Sequence, residues 1–225
     1  MTDLVGVVGG GRLGSAITNH CTRQGLPVVL TASSAGWAIT STPTVVIDAS
    51  APAAFDRVRD YCRGHRVALV ECVSNLSSAQ RDDLTALAET LPVLVATNLT
   101  FGHYLQCRIA EFAATLGLPP DTEVDVFEQH TRRKAHRPSA SAAALTDIWL
   151  KATGETVPEV ASRRGGTTVS THEITWTWGE AESVTVSHRV VSLRAAAATA
   201  VAAASFAAAS RPGLLTMDDV FRRKT

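Results

Sequence analysis

From Glu128 to Leu145 the chain reads EQHTRRKAHRPSASAAAL, a local concentration of groups suited to anion chemistry. Arg132, Arg133, Lys134 and Arg137 crowd a short run, with His130 and His136 beside or among them. Ala142, Leu145, Ile148, Trp149 and Ala152 fall on one face of a helix predicted over 139–152, so residues 139–142 are its first turn. Free backbone N–H groups and the positive end of the helix dipole meet in such a turn, and Ser139 and Ser141 add hydroxyls. Behind a basic loop, that turn is a cradle for a carboxylate or phosphate, with a small di-acid as the expected ligand. The plainer alternative is a solvated basic turn with a serine cap.

A second constellation stands near the N-terminus. GVVGGGRLGSAI puts Gly9, Gly11 and Gly14 directly after a first strand and at the mouth of a helix that Arg12 and Leu13 open. The first glycine permits a tight turn, the second lets backbone approach a pyrophosphate, and the third lets helix and strand pack closely. A dinucleotide seat is expected; a merely tight turn is the alternative. The acidic residue that would hold an adenosine ribose at the end of the second strand is missing, and LTASSAG offers Thr31, Ser33 and Ser34 instead. With no carboxylate to repel a 2′-phosphate, and with Arg12 in the loop, NADPH is favoured over NADH. The alternative leaves the ribose to backbone and water.

These two sites need a scaffold, and the apolar patterning supplies one. Short β-branched runs at 4–8, 28–30, 44–47, 67–70 and 93–96 alternate with helical segments at 12–24, 52–63 and 78–90. Strand–helix alternation predicts a parallel sheet with right-handed crossovers. The link from Leu30 to Thr44 barely exceeds the dozen residues a parallel crossover needs, so a full helix there is not expected. After about residue 100 the grammar changes: a helix at 103–116, a strand at 123–128, the basic loop and its helix, then period-two segments at 167–178 and 182–193 that read as neighbouring antiparallel strands. The expected fold is α/β: a Rossmann-like parallel-sheet domain at 1–101 and 205–225, and a second α+β domain with a mixed or antiparallel sheet at 102–204. An alanine-rich helix covers 195–209.

Composition bounds the partners. Twenty-one basic and 21 acidic side chains cancel, so no overall field draws the chain to nucleic acid or membrane. The basic loop has no aromatic platform beside it, which argues further against nucleic acid. The alanine-rich run is shorter than the roughly 20 strongly apolar residues a bilayer span needs. Cys21, Cys62, Cys72 and Cys107 show neither a CxxC pair nor zinc spacing, so reduced thiols in a cytoplasm are expected and no metal is.

The basic segment resembles the substrate loop of the dihydrodipicolinate reductase family, E-x-H-H-x-x-K-x-D-A-P-S-G-T-A, with Glu128, His130, Lys134, Pro138, Ser139 and Ala142 on matching positions. Further stretches align in the family's order: VVIDAS with Pro52, ATNLTFG, RRGGTTVSTHEITW and GLLTMDDVF. The resemblance implies a nicotinamide-dependent reductase using NADPH or NADH, a homotetramer or homodimer built through the second-domain sheet, and hydride transfer to a C=C or C=N of a small anionic cyclic substrate. It makes His130 the proton donor, which a free imidazole can be at neutral pH, and Lys134 the cation that stabilises developing negative charge. Thr131, Ser139, Ala140 and Ser141 then face the substrate. The implied cofactor seat comprises Gly9, Gly11, Arg12, Leu13, Gly14, Thr31, Ser33, Ser50, Ser74 and Asn98.

Departures from the family pattern gather at the chemistry. Thr131 replaces a second histidine, Ala140 and Ser141 stand for Gly-Thr, His136 replaces an aspartate, and Glu71-Cys72-Val73-Ser74-Asn75 stands where Gly-Thr-Thr-Gly follows the fourth strand. Ser74 retains a hydroxyl for a carboxamide; Glu71 and Cys72 are substrate contacts or packing. His172 matches a family position and is assigned a structural or supporting role, whereas His20, His65, His103 and His188 are read as ordinary. The leading expectation is reduction of a cyclic imine or dihydropyridine-type carboxylate in a specialised biosynthetic pathway. Its alternatives are 4-hydroxy-tetrahydrodipicolinate reductase of lysine biosynthesis itself, a redox-neutral dehydratase or cyclase, and a non-catalytic nucleotide-binding regulator.

Overall fold

The computed structural model describes residues 3–96, 98–166 and 169–222. In chain order the elements are β1 (Val5–Val8), α1 (Arg12–Arg23), β2 (Val28–Ser33), β3 (Gly36–Ile39), β4 (Val45–Asp48), α2 (Phe55–His65), β5 (Ala68–Glu71), α3 (Ser78–Ala88) and β6 (Pro92–Val95). Then come α4 (Phe101–Ala114), β7 (Thr122–His130), α5 (Ala140–Thr153), β8 (Val160–Arg164), β9 (Ser170–Trp178), β10 (Glu182–Val190), α6 (Arg194–Ala208), β11 (Gly213–Thr216) and α7 (Met217–Phe221). They divide into two compact units, residues 1–99 with 193–225, and residues 100–192.

The first unit is a seven-stranded sheet in the order β11-β6-β5-β4-β1-β2-β3, parallel except where β3 runs antiparallel to β2. Every residue of β1, β4 and β5 is buried, the burden of a strand covered on both faces, which is why these strands read as apolar runs up to the acids that end β4 and β5. One face carries α1 and α6 around Ile17, Cys21, Ala200 and Ala204, and the other carries α2 and α3 around Phe55, Val58, Leu84 and Leu87. The segment after β2 is too short for a helical crossover, and it folds back as β3, with Gly36 at φ 128° closing the turn.

Helix α6 uses its alanines to approach the sheet, burying Ala197, Ala200, Ala203 and Ala207 completely. The boundary read from the sequence at 204 cuts this continuous helix, whereas residues 193–204 pack with the first unit. No helix among the described residues is long and apolar enough to cross a membrane.

The second unit is a four-stranded mixed sheet in the order β10-β9-β7-β8, with β8 parallel to β7 and the other pairs antiparallel. Helices α4 and α5 cover one face, closing over Val124, Val126, Leu145, Trp149, Ile174 and Trp176. Strand β8, VASRR, is not evident in the sequence because its inward positions include the polar Ser162 and Arg164 and are only partly buried. The strand expected from 167 begins at Ser170 in the described structure; Thr167 and Thr168 lie outside the described residues.

Candidate active site

In the first unit, β1 runs into the glycine loop at the point where neighbouring strands diverge to β2 on one side and β4 on the other. That switch point is where open α/β sheets bind ligands. Gly9 adopts φ 117°, and a Cβ there would lie 2.4 Å from the Ala49 carbonyl oxygen. A Cβ on Gly14 would lie 1.8 Å from the Gly9 oxygen, so the first turn of α1 packs on the loop only with glycine at that position. A Cβ on Gly11 would meet nothing within 4 Å. Gly11 therefore leaves open space beside the loop, as backbone that must admit a pyrophosphate should.

Gly11 is also the N-cap of α1 and supplies no side-chain cap, while the first turn carries no acid. The amide end of α1 is thus available to an anion. Arg12 is exposed as the first helical residue, and Leu13 packs against the core behind it. Thr31 and Ser33 line a cleft of about 600 Å³ with Gly9, Gly10, Asn19 and Trp37. A second cleft of about 400 Å³ runs from Gly9–Gly11 past Ser33 and Ser34 to Ser50 and Ala53. These residues fit a dinucleotide with no carboxylate at its ribose.

Ser50 is only partly available: its hydroxyl and its N–H both donate to Asp48 Oδ1, the latter at 2.9 Å. Ser74 is exposed in the loop after β5, and Asn98 is half-buried. Beside them lies a feature the motif did not foretell. Asp48 and Glu71 are register partners on β4 and β5, 0% and 1% exposed, and one oxygen of each has no hydrogen-bond partner among the described residues. Burial and then the Asp48 charge push Glu71 up to about 9, so it is protonated at neutral pH. Burial likewise raises Asp48, against the pull of Ser50.

In the second unit a polar row crosses the sheet on the face covered by α4 and α5. Strand register places Glu128 of β7, His172 of β9 and His188 of β10 side by side. Glu128 is wholly buried and receives four contacts: the Ser139 N–H donates to Oε2 at 3.0 Å, the Ser162 hydroxyl to Oε1 at 2.6 Å, Arg164 Nη2 to Oε1 at 2.8 Å, and His130 Nε2 stands 3.3 Å from Oε2. Burial alone would raise this carboxyl, but the hydrogen bonds from Ser139, Ser162 and Arg164 outweigh it and hold it at about 2.

His130 ends β7. Its Nε2 lies 3.2 Å from His172 Nε2, which in turn lies 3.2 Å from Ser139 Oγ. Burial lowers the His130 pKa, with the Lys134 and Arg164 charges adding to the effect and Glu128 opposing it. The basic loop is fastened from below. Arg164 Nε donates to the Lys134 carbonyl at 2.9 Å and Nη2 to the His136 carbonyl at 2.5 Å, while the Lys134 N–H turns back to Thr131 O at 3.1 Å. Arg132, Arg133 and Arg137 are exposed.

The expected cradle is partly spent inside the protein. Ser139 is buried as the N-cap of α5, its Oγ accepting from Ala142 N at 3.3 Å and its N–H held by Glu128. Ala140 and Ser141, both half-buried, complete that first turn. The structure thus brings His130, Thr131, Lys134 and the 139–141 turn into one neighbourhood. Glu128 and Arg164, which organise it, were given no role from sequence although both lie in motifs that match the family. His103 and His188, read as ordinary, instead flank His172, their ring centroids 5.6 and 6.3 Å from its own.

A Rossmann-like unit with a glycine-lined anion seat, followed by an α+β unit that gathers a histidine, a lysine and a helix start, is the build of a two-domain nicotinamide-dependent reductase. Residues 4–99 match the family description "Dihydrodipicolinate reductase, N-terminus" and residues 102–221 match "Dihydrodipicolinate reductase, C-terminus". The chain belongs to the dihydrodipicolinate reductase family, whose members are NADH- or NADPH-dependent oxidoreductases. It is 31% identical over 195 residues to the 4-hydroxy-tetrahydrodipicolinate reductase of Alkaliphilus metalliredigens (strain QYMF), covering 80% of each chain. It is 29% identical over 192 residues to that of Alkaliphilus oremlandii (strain OhILAs), covering 78% of this chain and 79% of the relative.

Among solved structures, dipicolinate-bound dihydrodipicolinate reductase from Paenisporosarcina sp. TG-14 superposes with a TM-score of 0.71 at 16% identity, over 96% of this chain and 98% of the other. A meso-dapdh mutant with DAP from Clostridium tetani E88 gives 0.54 at 11% identity, over 98% and 96%. At these identities the likeness is one of fold.

Proposed function

We propose that this protein reduces a C=C or C=N bond of a cyclic, carboxylated imine or dihydropyridine-type substrate, with His130 as proton donor. The observation that carries the reading is the pairing of His130 with the ionised, buried Glu128. A carboxylate can only accept, so Glu128 holds a proton on His130 Nε2 and leaves Nδ1 as the atom that gives or takes one. Nicotinamide, when bound at the glycine loop, supplies the hydride. Lys134 and the amides at 140–141 hold the substrate carboxylate, and the basic loop draws the anion in. The Nε2 contact to Glu128 also stabilises the imidazolium, as buried acids do for catalytic histidines elsewhere.

The same reading makes the protein a cytoplasmic homotetramer or homodimer. A second reading, the lysine-pathway activity itself, is favoured by the names of the relatives near 30% identity. Loss of absorbance at 340 nm with a panel of cyclic imino and dihydropyridine carboxylates tests the first. His130→Ala is expected to lose about 10²- to 10⁴-fold in kcat. Turnover without NAD(P)H consumption would instead establish a redox-neutral reaction. Growth of a lysine-requiring, reductase-null bacterium on this gene tests the second reading.

A further inference from the structure

We propose that His103, His172 and His188 form a binding site for a divalent transition-metal ion of the zinc type, inside the second unit and separate from the proton-donating pair. One ligand nitrogen from each of the three rings lies within 4.8 Å of the others. The site stands on the hydrogen bonds around it, which determine which nitrogens carry lone pairs. Gln106 Nε2 donates to the carbonyls of His172 and Val186, both at 2.8 Å, so the Gln106 amide cannot be turned and its Oε1 must accept. The group that donates to it is His103 Nδ1, at 3.2 Å. His103 therefore carries its proton on Nδ1, and its Nε2 lone pair, 3.4 Å from Cys107 Sγ, is the atom an ion would take over from the thiol.

His172 faces two ways. Its Nε2 is engaged with His130 and Ser139, while its Nδ1 is buried with no partner, in a residue only 2% exposed. His188 Nδ1 is likewise buried and without a partner. Two orphaned imidazole nitrogens in one small space are costly unless something accepts them. Burial holds His103 at about 4 and His172 at about 3 and lowers His188 too, so all three rings are neutral near pH 7 and need shed no proton to bind an ion.

The surroundings are those of a supported metal ligand set. Gln106 fixes the His103 ring as an outer hydrogen-bond partner does in metalloenzymes. Gly102 makes room for His188: a Cβ at 102 would stand 2.6 Å from its Cδ2 and 2.8 Å from its Nε2. Three nitrogens about 2.0–2.1 Å from one ion stand roughly 3.3 Å apart, so closure asks small ring rotations, and the half-buried His188 is the ring able to make them. Imidazole ligands select zinc and its neighbours over magnesium or calcium. An ion on His172 Nδ1 would place that ring's proton on Nε2, where the Ser139 hydroxyl oxygen can accept it.

The test is metal binding itself. Tag-free protein stripped with a chelator is titrated with Zn²⁺ by calorimetry and with Co²⁺ by visible absorption. One ion per chain is expected, with the strong Co²⁺ bands of low coordination number. His188→Ala, at a half-buried position that tolerates truncation, and His103→Gln should each weaken Zn²⁺ binding by at least about tenfold. His130→Ala should leave it within about threefold, since His130 is no ligand in this arrangement. Absence of stoichiometric binding overturns the proposal. So does loss of binding in His130→Ala with retention in His188→Ala, which would move the ion to Glu128, His130 and His172.

Discussion

Glu128 in the second unit and Glu71 in the first are equally removed from water, yet they titrate at opposite ends of the scale, at about 2 and about 9. Glu128 receives an arginine, two serines and a histidine; Glu71 receives one backbone N–H, from Val73 at 2.8 Å, and faces a second carboxyl. Burial raises both carboxyls, so the partners decide the sign. Charge is compensated in the second unit and suppressed by protonation in the first.

The contrast breaks most readily at Glu128. Glu128→Ala strands Arg164, whose side chain is 6% exposed, and releases both the Ser139 N–H and the basic loop. A loss of about 3–5 kcal/mol in urea unfolding is expected, together with loss of turnover. Adding Arg164→Met should restore much of the stability and none of the activity. A double variant as unstable as Glu128→Ala would show that the pair itself, and not the stranded charge, holds the unit.

Glu71 sharpens the comparison with the reverse sign. Its folded pKa is raised, so the folded state holds a proton that the unfolded chain releases above about 4.3. Its contribution is fully present below that pH and is lost as pH rises toward about 9. Stability should fall across this window by at most about 1.4 kcal/mol per pH unit. Glu71→Gln keeps the Val73 contact and needs no proton, so the slope should flatten and the variant should overtake the wild type on the order of 1 kcal/mol by pH 8. Parallel stability–pH curves would refute the protonated state. Glu128 acts the other way, its contribution present above about 4.3 and lost as pH falls toward about 2.

His130 gives the same contrast a kinetic form. Its lowered pKa makes the free enzyme's imidazole mostly neutral at pH 7, so kcat/KM should rise as pH falls below neutrality, with an apparent pKa under the ordinary histidine value. A flat profile between pH 5 and 8 would remove His130 from the acid role.

How much of this was legible in the sequence follows the same division. Strands β1, β4 and β5 announce themselves because burial on both faces demands apolar runs, and the glycine loop because Gly9 and Gly14 have no room for a Cβ. Strands β3, β8 and β11 stay silent: four or five residues each, none fully buried, their pairing set by neighbours and not by pattern. The basic segment read correctly as a helix start behind positive charge. That Ser139 spends its N–H on Glu128 depends on β7 running beside α5, which local spacing does not encode. The histidine row is hidden for the same reason. Register alone makes His172 and His188 neighbours, and α4 brings His103 over them.

Ser50 tests how far the first unit's carboxyl pair is compensated. Ser50 is half-buried, and its hydroxyl is the sole side chain giving Asp48 a hydrogen bond among the described residues. Ser50→Ala should cost about 1–2 kcal/mol at pH 7, since a bond to a charged acceptor is lost while the Ser50 N–H still donates at 2.9 Å. The loss should shrink as pH falls, because burial raises the Asp48 pKa and a protonated Asp48 needs the donor less. An effect that instead grows toward acid would mean that Asp48 stays ionised and that Glu71 carries the shared proton by itself. Nucleotide affinity separates the two duties of this hydroxyl: unchanged NADPH binding in Ser50→Ala assigns it to Asp48, and a matching loss assigns it to the cofactor as well.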